Sequence, residues 1–241
     1  MLPIRDENPS GTFPLVGLAI IGANVAVFAL EASLEGEALE GFVASFGLVP
    51  ARVWRIGRGP GGAGGALLPF LTAMFLHGGL LHLLSNMWFL WIFGDNIEDR
   101  LGHLGFLVFY LVCGVAASLT HVLLVGPGST VPMVGASGAI AGVLGAYFMC
   151  FPRARVVTVI PFFIFLHFVR FPAWFFLFVW LTGQVLGALA AEPGTPGIAW
   201  FAHIGGFAVG AFLALFWPRC EHSRQTKYSA YPDAWRERWG G

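Results

Sequence analysis

A chain of 241 residues that is 57% hydrophobic and only 11% charged cannot clothe its surface for water, because a soluble domain carries about 25% charged residues. Thirteen basic and thirteen acidic side chains leave no formal net charge; nothing in that balance points to nucleic acid, and the composition indicates the lipid bilayer instead. Cys113, Cys150 and Cys220 have neither paired nor metal-ligand spacing, so free thiols are expected, with no disulfide framework, no metal and no other cofactor.

Residues 1–12 set acids beside the single Arg5 and lack a secretory-leader pattern, so the first apolar run is expected to stay as an anchor. A helix crossing the bilayer needs roughly 20 apolar residues. Six stretches qualify: 13–30, 80–97, 104–124, 131–151, 172–191 and 197–217. They predict an all-α membrane protein, a six-transmembrane-helix bundle over residues 13–217. The longest connection, 31–76, opens with Glu31, Glu35, Glu37 and Glu40. It carries Gly59, Gly61, Gly62, Gly64 and Gly65 around Pro60, the composition of a mobile segment. The apolar stretch 156–169 is short and interrupted by Pro161 and His167, and reads as an interfacial loop. The tail, 218–241, mixes charges with Tyr228, Tyr231, Trp235 and Trp239 and reads as a solvated or membrane-surface end.

Basic residues set the direction. With the N-terminus inside, the inner segments hold Arg5, Arg100, Arg153, Arg155, Arg170, Arg219, Arg224, Lys227, Arg236 and Arg238, and the outer ones only Arg52, Arg55 and Arg58. Residues 1–12 and 218–241 are therefore expected to be cytoplasmic, in a multi-pass protein of the cell membrane. Spans two, four and six then all run inward, and polar residues early in each share one depth below the outer surface.

The unusual residues lie at that depth. Span four holds Gly135-Ala136-Ser137-Gly138 and span six holds Ala202-His203-Ile204-Gly205-Gly206. Ser137 and His203 are each about six residues in, roughly 9 Å along a helix rising 1.5 Å per residue. A histidine inside a membrane helix is costly and is by default a functional-site hypothesis. Gly138 with Gly142, and Gly206 with Gly210, are small-xxx-small pairs that let helices approach closely. His82 and Asn86, in the first turns of span two, are four apart and share a face. The Asn86 amide needs a partner there, either as an interhelical bond holding the bundle or as a donor to a substrate. His77, just before the helix, fits loop packing or capping better than chemistry.

A serine protease needs a hydroxyl activated by a base, a base that titrates near neutrality, and donors for the oxyanion. Ser137 and His203 match the first two, and Asn86 and His82 the third. Asp95, Glu98 and Asp99 lie at the inner end of span two, so a dyad is expected and not a Ser-His-Asp triad.

With these motifs the chain resembles the bacterial rhomboid intramembrane proteases. Glu98-Asp99-Arg100-Leu101-Gly102 is similar to the family's charged turn, and Trp54-Arg55 to a Trp-Arg pair in its first loop. The resemblance covers about 13–217. It implies a six-helix core with a short central fourth helix, and a water-filled site open to the extracytoplasmic side. It further implies Ser137 as nucleophile, His203 as base, and an oxyanion hole of His82, Asn86 and the Ser137 backbone N–H, with His77, Gly135 and Gly138 in support. The substrates implied are single-span transmembrane proteins. The family often places an aromatic ring four residues after the serine, stacked on the histidine; here that residue is Ala141. Three other readings stay open: a catalytically inactive rhomboid-like membrane-protein binder, a polytopic transporter, and a metal site of His77, His82 and His203.

Overall fold

The computed structural model describes residues 1–56, 62–162, 165–192 and 197–217. The tail 218–241, Arg58 and the Gly59–Gly61 part of the first loop lie outside the described residues. The chain is mostly helical. Among the described residues three helices are long and apolar enough to cross a membrane: α1 (Leu15–Ala32), α6 (Leu80–Val125) and α8 (Ala173–Ala190). Between α1 and α6 come α2 (Gly36–Phe46), α3 (Pro50–Val53), α4 (Gly62–Leu67), α5 (Pro69–Thr72) and a 3₁₀ turn at Ala73–Phe75. Gly62, Gly64 and Gly65, expected in a mobile loop, fall in or beside the α4 turn.

The 46-residue α6 is broken at Gly102, where φ is +71°. Only glycine takes that conformation without strain, and the break separates the apolar stretches predicted as spans two and three. Glu98, fully buried beside it, accepts the N–H groups of Val16 and Gly17 at 2.8 and 2.7 Å and pairs with His103. A carboxylate thereby satisfies the orphan donors at the start of α1.

At the centre lies α7 (Ser137–Cys150), buried continuously from Gly138 to Tyr147. Fourteen residues rise only about 21 Å, less than the roughly 30 Å hydrocarbon layer. A helix apolar on every side belongs in a core, and α6 and α9 (Trp200–Ala214) pack around it. The glycine seam is literal contact. A methyl group added at Gly206 would stand 2.0 Å from the Gly138 carbonyl oxygen, and one at Gly210 would stand 1.9 Å from that of Gly142. By contrast α8 buries only Ala173, Phe176, Leu177 and Gln184.

Two expectations need correction. The stretch 156–169 is not a loop, and the chain is not all-α. Strands β2 (Arg155–Phe162) and β3 (Phe165–Pro172) pair antiparallel from Arg155↔Pro172 to Phe162↔Phe165, and β1 (Leu2–Asp6) joins β2 on the other side. Valine, isoleucine, threonine and phenylalanine dominate the hairpin and favour a pleated strand. Pro161 sits at its tip end and Pro3 on the edge strand, where a missing N–H does least harm. The N-terminal segment is thus a structural strand. Trp88 donates to the Pro3 carbonyl at 2.6 Å, Arg170 pairs with Glu7 at 2.8 Å, and the side chains of Asn8 and Asn96 bond one another.

Tyr147 also donates to Asp6. Burial pushes the Asp6 carboxyl up to about 7 from its ordinary 3.8, more than the Tyr147 bond draws it down. A raised carboxyl makes the folded state bind the proton that the unfolded chain has released. The stabilisation is full below about pH 4 and is lost as pH rises through about 7. Thermal midpoints in mild detergent should therefore fall across that interval, and Asp6→Asn should flatten the dependence.

Candidate active site

The site lies at the end of the bundle away from the sheet, where the first loop packs over the entry to α7. Leu48 bridges Met133, and the N–H of Gly135 donates to the Ala73 carbonyl at 2.8 Å. Gly135 has φ +121°, open to glycine alone, and this bend delivers Ser137 as the first residue of α7. His203 stands one turn into α9. The glycine seam brings the two helices so close that His203 Nε2 lies 2.7 Å from Ser137 Oγ. The short serine side chain needs that proximity.

The span-two residues arrive at the same place. A methyl group at Gly135 would lie 2.8 Å from both Cε1 and Nε2 of His82, and 3.7 Å from Asn86 Nδ2. His82 and Asn86 therefore flank the bend that leads into Ser137. Asn86 is buried, and among the described residues its Nδ2 has no hydrogen-bond partner. Such an orphan donor calls for explanation. His82 Nδ1 accepts a long bond from the Gly78 N–H at 3.4 Å, an arrangement that leaves the proton on Nε2, the nitrogen beside Gly135. His77 is buried edge-on against His82, with ring centroids 5.1 Å apart, and its own N–H donates to Glu31 at 3.0 Å. Gly138 packs on Ala117, where a methyl would stand 2.7 Å away. A narrow crevice lined by Met74, Met133, Gly135, Ser137, Ala199 and Ala202 has room for about one water molecule. Among the described residues no three His, Cys, Asp or Glu side chains gather as metal ligands.

A model of the rhomboid domain matches residues 64–219, well over half of the sequence. The chain belongs to the rhomboid family. It is similar to the mitochondrial RHOMBOID-like protein 6 of Arabidopsis thaliana, 30% identical over 66% of this chain and 48% of that protein. It is also similar to the mitochondrial presenilin-associated rhomboid-like protein of Bos taurus, 37% identical over 40% of this chain and 26% of the relative. Rhomboid-like protein 11 of Arabidopsis thaliana, a chloroplast protein, is 45% identical over 30% of this chain and 25% of its own length. This rhomboid therefore spans a quarter to a half of the curated relatives it matches. It is a multi-pass membrane protein.

Sequence reasoning left open what holds His203 in this rhomboid once Ala141 replaces an aromatic. The ring is flanked from α8 and α9. Trp180 lies 6.0 Å away at 33°, and Trp200 stands edge-on at 6.3 Å. Gln184 Oε1 is 2.7 Å from His203 Nδ1. Gln184 was overlooked, although it carried the signal that singled out Asn86: an amide inside an apolar membrane run. Trp54, expected as half of a Trp-Arg pair, donates to the Val122 carbonyl at 3.2 Å, while Arg55 is exposed.

Proposed function

We propose that this rhomboid is an intramembrane serine endopeptidase that cuts single-span transmembrane proteins. The observation that carries the reading is the 2.7 Å approach of Ser137 Oγ to His203 Nε2, at the facing starts of α7 and α9. A serine hydroxyl beside an imidazole is the pairing that nucleophilic catalysis requires.

In this reading the hydroxyl proton of Ser137 passes to His203 Nε2 as Oγ attacks the scissile carbonyl. The negative oxygen forms beside the Ser137 N–H, which as the first of a helix has no intrahelical acceptor, and beside Asn86 Nδ2 and the His82 ring. His203 then gives its proton to the departing amine. Water repeats the sequence on the acyl-enzyme, returning free Ser137 and a new carboxyl end. His77, Gly135 and Gly138 support the geometry, and no cofactor enters any step.

Six crossings with both termini cytoplasmic, in the cell membrane, would open the site to the extracytoplasmic side. The basic groups Arg5, Arg153, Arg155 and Arg170 lie on or next to the sheet, at the opposite end from Ser137, in keeping with that direction. A peptide must arrive unwound, because helical carbonyls are engaged, so the preferred segment contains glycine or another weak helix former near its outer end. The test is mass spectrometry of product termini from a single-span substrate in proteoliposomes. Cuts should fall near the extracytoplasmic end and vanish with Ser137→Ala. Cuts at the cytoplasmic end, or no cleavage by the intact protein, would overturn the proposal.

Removing one oxyanion donor costs roughly 10²–10³-fold in kcat. Asn86→Ala should approach that loss with little change in KM, and His82→Ala should fall short of it where water replaces the ring. Progress curves at saturating substrate measure both. Wild-type rates in both single variants and in the double variant would remove these residues from the oxyanion hole.

A further inference from the structure

We propose that Gln184 is the positioning residue for His203, a neutral third member of the chain of hydrogen bonds Ser137–His203–Gln184. This rests on the reading of Ser137 and His203 as nucleophile and base.

The direction of each bond follows from the neighbours. Gln184 Nε2 donates to the Trp180 carbonyl one turn back at 3.1 Å. That bond commits the NH₂ group and turns Oε1 toward His203, at 2.7 Å from Nδ1. An amide oxygen only accepts, so the imidazole carries its proton on Nδ1. The lone pair is then on Nε2, the nitrogen facing Ser137 Oγ at 2.7 Å. The tautomer able to take the serine proton is thus selected from the far side of the ring. The same turn of α8 lays Trp180 against that ring at 33°, so one helical turn sets both its plane and its protonation.

An amide suits the surroundings. Gln184 is 9% exposed in a helix with no Asp, Glu, Lys or Arg, and a carboxylate there would bear the cost of a charge inside the membrane. Hydrolases outside membranes use an amide in this place as well, in the Cys-His-Asn arrangement. The position also couples chemistry to a lightly packed helix, since α8 buries only four residues. Outward displacement of α8 withdraws the acceptor from His203.

The experiment compares wild type, Gln184→Leu and Gln184→Glu in proteoliposomes. It reads kcat and KM for a single-span substrate, and the rate at which a fluorophosphonate labels Ser137. Gln184→Leu should lower kcat and the labelling rate together by about 10²-fold, the scale of a misplaced catalytic group, with KM unchanged. Gln184→Glu keeps an acceptor oxygen and should retain most of both. Nitrogen-labelled histidine in the wild-type protein should show His203 protonated on Nδ1 in solid-state NMR, a readout that needs no variant to fold. A wild-type protein that neither cuts nor labels refutes the nucleophile and base. An active wild type with unaltered Gln184→Leu rates, with an effect on KM alone, or with the His203 proton on Nε2 refutes the role of Gln184.

Discussion

Ser137→Ala and His203→Ala should each abolish cleavage of a single-span substrate, with losses on the order of 10⁶-fold in kcat. The double variant should be no worse than either, because the two groups act as one unit across a 2.7 Å hydrogen bond. Both variants should still fold. Besides their own hydrogen bond, α7 and α9 meet along a glycine seam that neither substitution touches, and Ser137→Ala removes a single oxygen at the start of a helix. The comparison is best made with purified protein in proteoliposomes, with labelling by a fluorophosphonate as a second measure. Cleavage at the wild-type rate by either variant would dismiss the pair as catalytic.

Gly206→Ala and Gly210→Ala should be nearly as damaging, for a different reason. Each adds a methyl group that would stand about 2 Å from a backbone oxygen of α7, that of Gly138 or Gly142, so the helices have to part by more than 1 Å. Overpacking of this kind typically costs 1–3 kcal/mol and occasionally more. Parting α7 from α9 also draws His203 away from Ser137, and a misplacement of about 1 Å can cost 10²-fold in rate. Gly183→Ala in α8 and Gly22→Ala in α1 are the controls, because a methyl group meets nothing within 4 Å at either position. Thermal unfolding in mild detergent together with cleavage rates should separate the two seam variants from the two controls. Equal stability and activity in all four would show that the seam yields without penalty.

These features were unevenly legible. Ser137, His203, His82 and Asn86 stand out because a polar side chain in an apolar run announces itself, and equal depth in three parallel spans is simple arithmetic on a 1.5 Å rise. The glycine pairs at a spacing of four announce a close seam, although not which helix each pair meets. Gln184 carries the same signal as Asn86, yet its meaning depends on a partner in another helix and on an amide oriented by the Trp180 carbonyl. Neither is a property of spacing. The sheet escaped for a related reason. Residues 156–169 are too short for a span and contain Pro161, and the strand that completes them, Leu2–Asp6, lies at the other end of the sequence. Pairings between remote segments leave no local period to read. The break at Gly102 shows the converse. Two apolar stretches and a charged turn suggested separate helices, and one glycine with positive φ is what divides them.

The sheet also dictates an order of events during synthesis. Leu2 pairs with Val159 and Asp6 with Val156, so β1 has no partner until the chain has been made past α7. At about 5–20 residues per second this wait is on the order of 10–30 s. Throughout it, α1 and both arms of α6 enter the bilayer with a free strand trailing at the N-terminal end. The anchors that β1 later supplies, Pro3 to Trp88 and Asp6 to Tyr147, close only when the hairpin emerges. The sheet can therefore close only after α1, α6 and α7 have been made, and α8 and α9, which follow the hairpin in the chain, join the bundle later still.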